Sequence, residues 1–375
     1  MKRAIFYLSI WLVAVLSACT GSQSKGGGEG GDTLKMAYAT RLSIVKHDGY
    51  TMVKLADPWN TGKTLHTYLL VPADRPVPNN LPYGTLIRTP LTKSVMATSV
   101  HCGLLMAMNR QQAIGGVCDL QYIHLPYVQQ MCREKKIIDC GSSLSPTIEK
   151  IIDLQPDAIF LSPFQNSGGY GRLEELKIPI VETADYMETS ALGRAEWMKF
   201  YGLLFGSEEK ADSLFRNVER KYLQLATLAK TSKVKKSMLI DKQTGSVWYV
   251  PGGQSTIGKM ISDVSVGYAW HQDVQSGSIP LPFESVLEKA GDADLWLFRY
   301  NAPTVTNLRE LLTENNGYRQ FKAFKNREVY GCNTATTPFY EETPFQPHLL
   351  LRDFICIAHP DLQLGKPRYF VKVNE

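Results

Sequence analysis

One stretch constrains the fold more than any other. Between Ser207 and Lys230, Ala211, Leu214, Phe215, Val218, Tyr222, Leu225 and Leu228 recur at spacings of three and four, behind Glu208 and Glu209 in a first turn where carboxylates suit the helix dipole. At about 1.5 Å per residue this predicts a helix of roughly 36 Å, long enough to bridge two bodies. On either side the pattern changes to strands alternating with helices. Upstream, Gly84–Pro90, Ala113–Cys118, Asp157–Ser162 and Ile178–Glu182 read as strands, Ser94–Met108 and Ile148–Leu154 as helices, and Ser190–Phe205 as a linking helix ending at Gly206. Downstream, Ser237–Asp241, Ser246–Val250, Leu295–Arg299 and Glu328–Cys332 read as strands, and Ser255–Ser265, Phe283–Lys289 and Pro347–His359 as helices. Such alternation favours parallel βαβ units, whose ligands lie at the carboxyl ends of the strands. The expected architecture is an α/β chain of two Rossmann-like lobes joined by a long backbone helix. Its expected divisions are a first lobe at 33–188, linking helices at 189–232 and a second lobe at 233–375.

The first lobe opens unusually. Leu34 to Val71 alternates apolar and polar residues with Gly, Asn and Pro punctuation, which predicts a β-hairpin region, read as a lid on the edge of that lobe. Before it, Lys2 and Arg3 precede an apolar run from Ala4 to Leu16, the proportions of a secretory signal and too short to span a bilayer. The run ends in Leu16-Ser17-Ala18-Cys19, which resembles the lipobox of bacterial lipoproteins, cut before a cysteine that becomes lipidated. Residues 1–18 are therefore expected to be a signal peptide, Cys19 the lipidation site and 19–32 a Gly/Ser-rich leash. This places the protein in the cell envelope, periplasmic and tethered to a membrane by lipid.

Composition narrows the function. With 44% hydrophobic and 21% charged residues the body is an ordinary water-soluble one. The formal charge of +5 falls to near +3 once Lys2 and Arg3 leave with the signal, too little and too scattered for nucleic acid. Of seven cysteines, six remain beyond Cys19, irregularly spaced; buried thiols or one or two disulfides fit them better than a metal site. Gly-x-Ser-x-Gly, His-Glu-x-x-His and a phosphate-binding glycine loop are missing, so no catalytic residue is assigned and no cofactor or resident metal is expected. A chelatase-like or hydrolytic exported enzyme on a similar two-lobed fold is the alternative to a binding protein.

The two halves share a phrase. Pro146 precedes Ile148-Glu149-Lys150-Ile151-Ile152 and then a strand; Pro282 precedes Phe283-Glu284-Ser285-Val286-Leu287 and then a strand. The region from Leu144 to Ser162, Leu173 to Val181, Tyr201 to Ala211 and the C-terminal stretches Tyr318–Tyr330, Leu350–Phe354 and His359-Pro360 resemble, in order, the helical-backbone (class III) periplasmic binding proteins of ABC importers for iron-siderophore, haem or cobalamin. That resemblance implies a ligand of one of those three kinds in the inter-lobe cleft, an ABC permease in the inner membrane as partner, and one exposed glutamate per lobe, Glu149 and Glu284, as permease-docking residues. The leading hairpin and the insertion carrying Trp248, Tyr249 and Trp270 are longer than the family pattern.

If ligands sit at strand ends, the facing loops supply Tyr122, His124, Tyr127 and Phe164 from the first lobe and Trp248, Tyr249, Trp270, Arg299, Tyr300 and Tyr340 from the second. Aromatic faces suit flat or conjugated chelates, and Arg299 suits an anionic oxygen. Tyr122, Tyr127, His124 and His271 are further candidates for axial contact with a metal centre.

Overall fold

A computed structural model describes residues 31–165 and 169–375 of the chain. The expected signal peptide, residues 1–18, and the expected lipidation site Cys19 lie outside the described residues. Among those residues no helix is long and apolar enough to cross a membrane.

The opening segment is a complete five-stranded sheet rather than a hairpin. Asp32–Leu34, Leu42–His47, Tyr50–Ala56, Thr64–Pro72 and Thr85–Thr89 lie side by side in chain order. The first four run antiparallel and the last is parallel to its neighbour. Strands two and three close through Asp48-Gly49, where Gly49 takes φ 82°, a left-handed value that costs glycine little. Alternation drives the sheet: Leu42, Ile44, Val53 and Leu55 are buried while Ser43 and Lys54 face water. Gly84–Pro90, expected to open the first lobe, belongs to this sheet instead.

The first lobe's own sheet is wholly parallel, in the order Ile180–Glu182, Ala158–Leu161, Ser94–Met96, Ile114–Val117, Ile138–Asp139. Its central strand is a correction. Ser94 to Met108 was expected to be one helix, but Ser94–Met96 is a strand and only Ser99–Ala107 is helical. A strand flanked by neighbours on both sides and covered on both faces shows no alternation, so its three buried residues are indistinguishable in sequence from the start of a buried helix.

The expected linking helix divides into Ala191–Glu196 and Met198–Leu204 before the long helix Glu208–Ala229. In that long helix Ala211, Phe215, Val218 and Tyr222 are buried, and Leu214, Leu225 and Leu228 flank them. The second lobe carries parallel strands Met238–Ile240, Leu295–Tyr300 and Val329–Asn333, with Val371–Lys372 antiparallel at the edge. A smaller antiparallel sheet, Gln243–Thr244, Val247–Pro251 and Ser278–Leu281, lies beside it. The two lobes' sheets are separate. Helix Pro347–Ala358 closes the second lobe and packs along the long helix.

The lobes meet where the short helix Phe339–Glu342 rests on Ser99–Ala107. The approach is so close that a Cβ on Gly103 would lie 2.1 Å from the Glu341 carbonyl oxygen. The Glu341 carboxylate also accepts the backbone N–H of His124 at 3.3 Å. All six described cysteines are free thiols, four of them buried, so the disulfide alternative does not hold for them.

Candidate functional site

The carboxyl ends of the first lobe's strands open into a cavity of about 740 Å³, within the range typical of small-molecule sites. Ala97 and Thr98 follow the central strand, Leu161 and Ser162 end its neighbour, and the start of helix Ile148–Leu154 closes a third side. Phe164, Tyr170 and Arg172 complete the wall. A second, shallower cavity shares Ser143 and Leu144 with it and carries Tyr122. The exposed rings of Phe164 and Tyr122 line the first and the second of these cavities, respectively.

Beneath Thr98 lies a buried polar chain. Thr98 Oγ1 is 2.9 Å from His101 Nδ1, and His101 Nε2 is 3.0 Å from Asp185 Oδ1. Tyr201 donates to the same oxygen at 2.9 Å, and Arg194 Nε to Oδ2 at 2.9 Å. Burial opposes ionisation of Asp185, but the charges of Arg194 and His101 and the bonds from His101 and Tyr201 outweigh it, holding the carboxyl at about 2. This chain ties the cavity floor to helix Ala191–Glu196 between the lobes.

The expected ligand residues fall into two groups. Phe164, Tyr122, Tyr249 and Tyr340 are substantially exposed, and His124 and Tyr127 are half-buried. Trp248 and Trp270 are a correction: both are core side chains. Trp248 packs against Trp296, Tyr318 and Phe321 and donates its indole N–H to Ile240 O at 3.1 Å, while Trp270 packs on Tyr268. In strand Val247–Pro251 the side chains alternate, so burying Trp248 sends Tyr249 outward. Arg299 is not a free cation: its Nε and Nη2 bond Asp241 at 3.0 and 2.7 Å, and its guanidinium lies 5.8 Å from the Phe339 ring centre. Tyr300 is half-buried, and its hydroxyl accepts the Thr306 N–H at 3.2 Å. His271 is exposed, with Nδ1 on the Tyr268 carbonyl at 2.9 Å.

Residues 119–336 match the family model described as periplasmic binding protein. The chain belongs to the periplasmic binding protein family. An uncharacterised lipoprotein of Methanocaldococcus jannaschii, MJ0878, is 28% identical over 412 residues, covering 100% of this chain and 97% of its own. Two solved structures share the fold. A periplasmic haem-binding protein of Pseudomonas aeruginosa has a TM-score of 0.57 at 13% identity, covering 76% of this chain and 99% of that one. The siderophore-binding protein BauB, bound to a complex of two acinetobactin molecules and ferric iron, has 0.55 at 19% identity, covering 74% and 95%.

In this periplasmic binding protein the two matched glutamates occupy the second position of helices Ile148–Leu154 and Phe283–Ala290, and both are exposed. Glu149 also borders the first-lobe cavity. Sequence reading missed Thr98, Ser162, Tyr170 and Arg172. The available signal was Gly168-Gly169-Tyr170-Gly171-Arg172, a glycine cluster soon after a buried strand, where strand-end loops of such sheets carry ligand contacts.

Proposed function

We propose that this chain is the lipid-anchored substrate-binding protein of an ABC importer, taking an iron chelate or cobalamin between its lobes and delivering it to a membrane permease. The observation that carries the reading is a cavity of about 740 Å³ at the strand ends of the first lobe, in a chain of this family. Its wall is mixed: hydroxyls of Thr98, Ser162 and Tyr170, the ring of Phe164 and the guanidinium of Arg172. Such a lining suits a ligand with oxygen-rich, partly aromatic and anionic surface. Of the ligand contacts expected from sequence only Phe164 lines this cavity; Tyr122, His124 and Tyr127 from the first lobe and Tyr249, Tyr300 and Tyr340 from the second are proposed contacts of a ligand that extends between the lobes. The solved neighbours named for haem and for a ferric siderophore complex support an iron chelate over cobalamin.

Glu149 and Glu284 are the proposed permease contacts, and Cys19 the proposed anchor, in keeping with the lipoprotein name of the Methanocaldococcus relative. Titrating the protein with a ferric siderophore, haem and cobalamin, followed by intrinsic tryptophan fluorescence, tests the ligand. One mole per mole is expected; if none of the three binds below about 10 μM, roughly 7 kcal/mol, the chelate reading fails.

A further inference from the structure

The leading sheet precedes the family match, which starts at residue 119, yet it touches the partner of a cavity-lining tyrosine. The connection runs through one buried carboxylate. Glu182 ends the edge strand of the first lobe and is 8% exposed. From the leading sheet, His66 Nδ1 lies 3.2 Å from Glu182 Oε2, and Tyr68 Oη accepts the Glu182 backbone N–H at 2.8 Å. The His66 ring stacks on Tyr68 at 4.3 Å, and its Nε2 is 2.8 Å from Thr85 Oγ1. The contact between His66 and Glu182 has the distance of an ion pair without hydrogen-bond geometry, and Glu182 Oε2 is buried with no hydrogen-bond partner among the described residues. On the other side, Glu182 Oε1 accepts from the Tyr170 hydroxyl at 3.0 Å.

Tyr170 is held at both ends, its N–H donating to Glu174 Oε1 at 2.6 Å and its hydroxyl to Glu182. It stands between Gly169 at φ 94° and Gly171 at φ 55°, so its neighbours have no side chains to brace it, and it lines the cavity. A buried carboxylate persists only where donors satisfy it. Here Tyr170 donates to one oxygen while the leading sheet brings the His66 imidazole within ion-pair distance of the other and holds the Glu182 N–H with Tyr68, so a change on either side alters the setting of the other.

We propose that the leading sheet shapes the ligand cavity: acting through Glu182, His66 and Tyr68 fix the Tyr170 ring as a selectivity-setting wall. Tyr170 is the contact residue, and His66, Tyr68 and Glu182 are positioning residues. The selectivity clause rests on the reading that this cavity holds a metal chelate; the positioning clause does not.

The test uses the full chain. His66→Phe keeps a ring on Tyr68 but removes the polar contact to Glu182, whereas His66→Asn keeps a polar group near Nδ1. Without ligand, trypsin cleavage after Arg172, two residues beyond Tyr170, reports how firmly the wall is held. His66→Phe and Tyr170→Phe, the first removing an ion-pair contact and the second a hydrogen bond to the same carboxylate, should each raise that rate about fivefold, with the double variant no faster and His66→Asn near wild type. The same proteins are then titrated with a ferric tricatecholate, haem and cobalamin. His66→Phe should weaken the best-bound of the three by a similar factor and change the order or spacing of their affinities. An unchanged cleavage rate in His66→Phe overturns the positioning. Raised cleavage with unchanged affinities overturns the selectivity role. If none of the three binds wild type while cleavage rises in His66→Phe, the chelate reading and the selectivity clause fall and the positioning stands.

Discussion

His348 shows how one side chain sets a response of the whole chain. It sits on helix Pro347–Ala358, which packs along the long helix, with its Nδ1 buried and lacking a hydrogen-bond partner among the described residues. Burial, with the Lys221 charge adding to it, lowers the imidazole from 6.5 to about 4. The folded chain therefore keeps His348 neutral where the unfolded chain already takes up a proton. The stability this represents is present above pH 6.5 and is lost as pH falls towards 4. Between pH 7 and pH 5 the loss should be roughly 2 kcal/mol. Urea unfolding of wild type and His348→Leu at both pH values checks it: the variant should lose that much less on acidification, and equal losses in the two proteins would remove His348 from the account. Asp185 belongs to a lower range. Held at about 2, its contribution is present above the ordinary carboxyl value near 3.8 and disappears only as pH falls through about 2.

Among the elements, the contact between Phe339–Glu342 and Ser99–Ala107 is the one a single atom would break. With 2.1 Å between a Cβ at Gly103 and the Glu341 carbonyl, the intrusion meets backbone, which cannot rotate away. Gly103→Ala should cost about 1–3 kcal/mol and lower the melting temperature by several degrees. Gly277→Ala, where a Cβ meets nothing within 4 Å, is the control and should be near neutral. Equal melting temperatures for both variants would mean the lobes separate at that contact without penalty. This joint was invisible in sequence, because its cause is a distance between residues 238 positions apart. The elements themselves were more legible. Ile148–Leu154 coincides with its sequence reading, and the long helix Glu208–Ala229 lies within Ser207–Lys230, because each has its own period and a nearby stop. Ser94–Met96 failed the same reading, since burial on both faces erases the period. At the site, Phe164 was legible as a strand-end residue. Tyr170 and Glu182 were not, because their roles come from His66 and Tyr68, more than 100 residues upstream, on a sheet the family pattern does not include.

For the whole molecule, the docking role proposed for the matched glutamates is a test of whether the chain works as a delivery protein. Glu149 and Glu284 each hold the second position of a short helix, one per lobe, and both side chains are exposed. Rim charges of this kind mainly steer encounter and fix register on a partner. Their contribution to the fold is limited to the helix dipole, so replacing both by alanine should lower stability by less than about 1 kcal/mol per site. The two are not equivalent towards ligand. Glu284 lies in the second lobe, whereas Glu149 borders the cavity, where a carboxylate disfavours an anionic chelate. Glu284→Ala should therefore leave chelate affinity unchanged, and Glu149→Ala should leave it equal or slightly raised. Binding to the permease should weaken in both and most in the double variant, with the largest deficit at low salt, where charge pairing is least screened. Permease-stimulated ATP hydrolysis, measured beside ligand affinity, separates the possibilities. Full stimulation by the double variant would reduce both glutamates to helix-start residues. A sharp loss of chelate binding in Glu149→Ala alone would make that carboxylate a ligand contact and leave Glu284 without its counterpart.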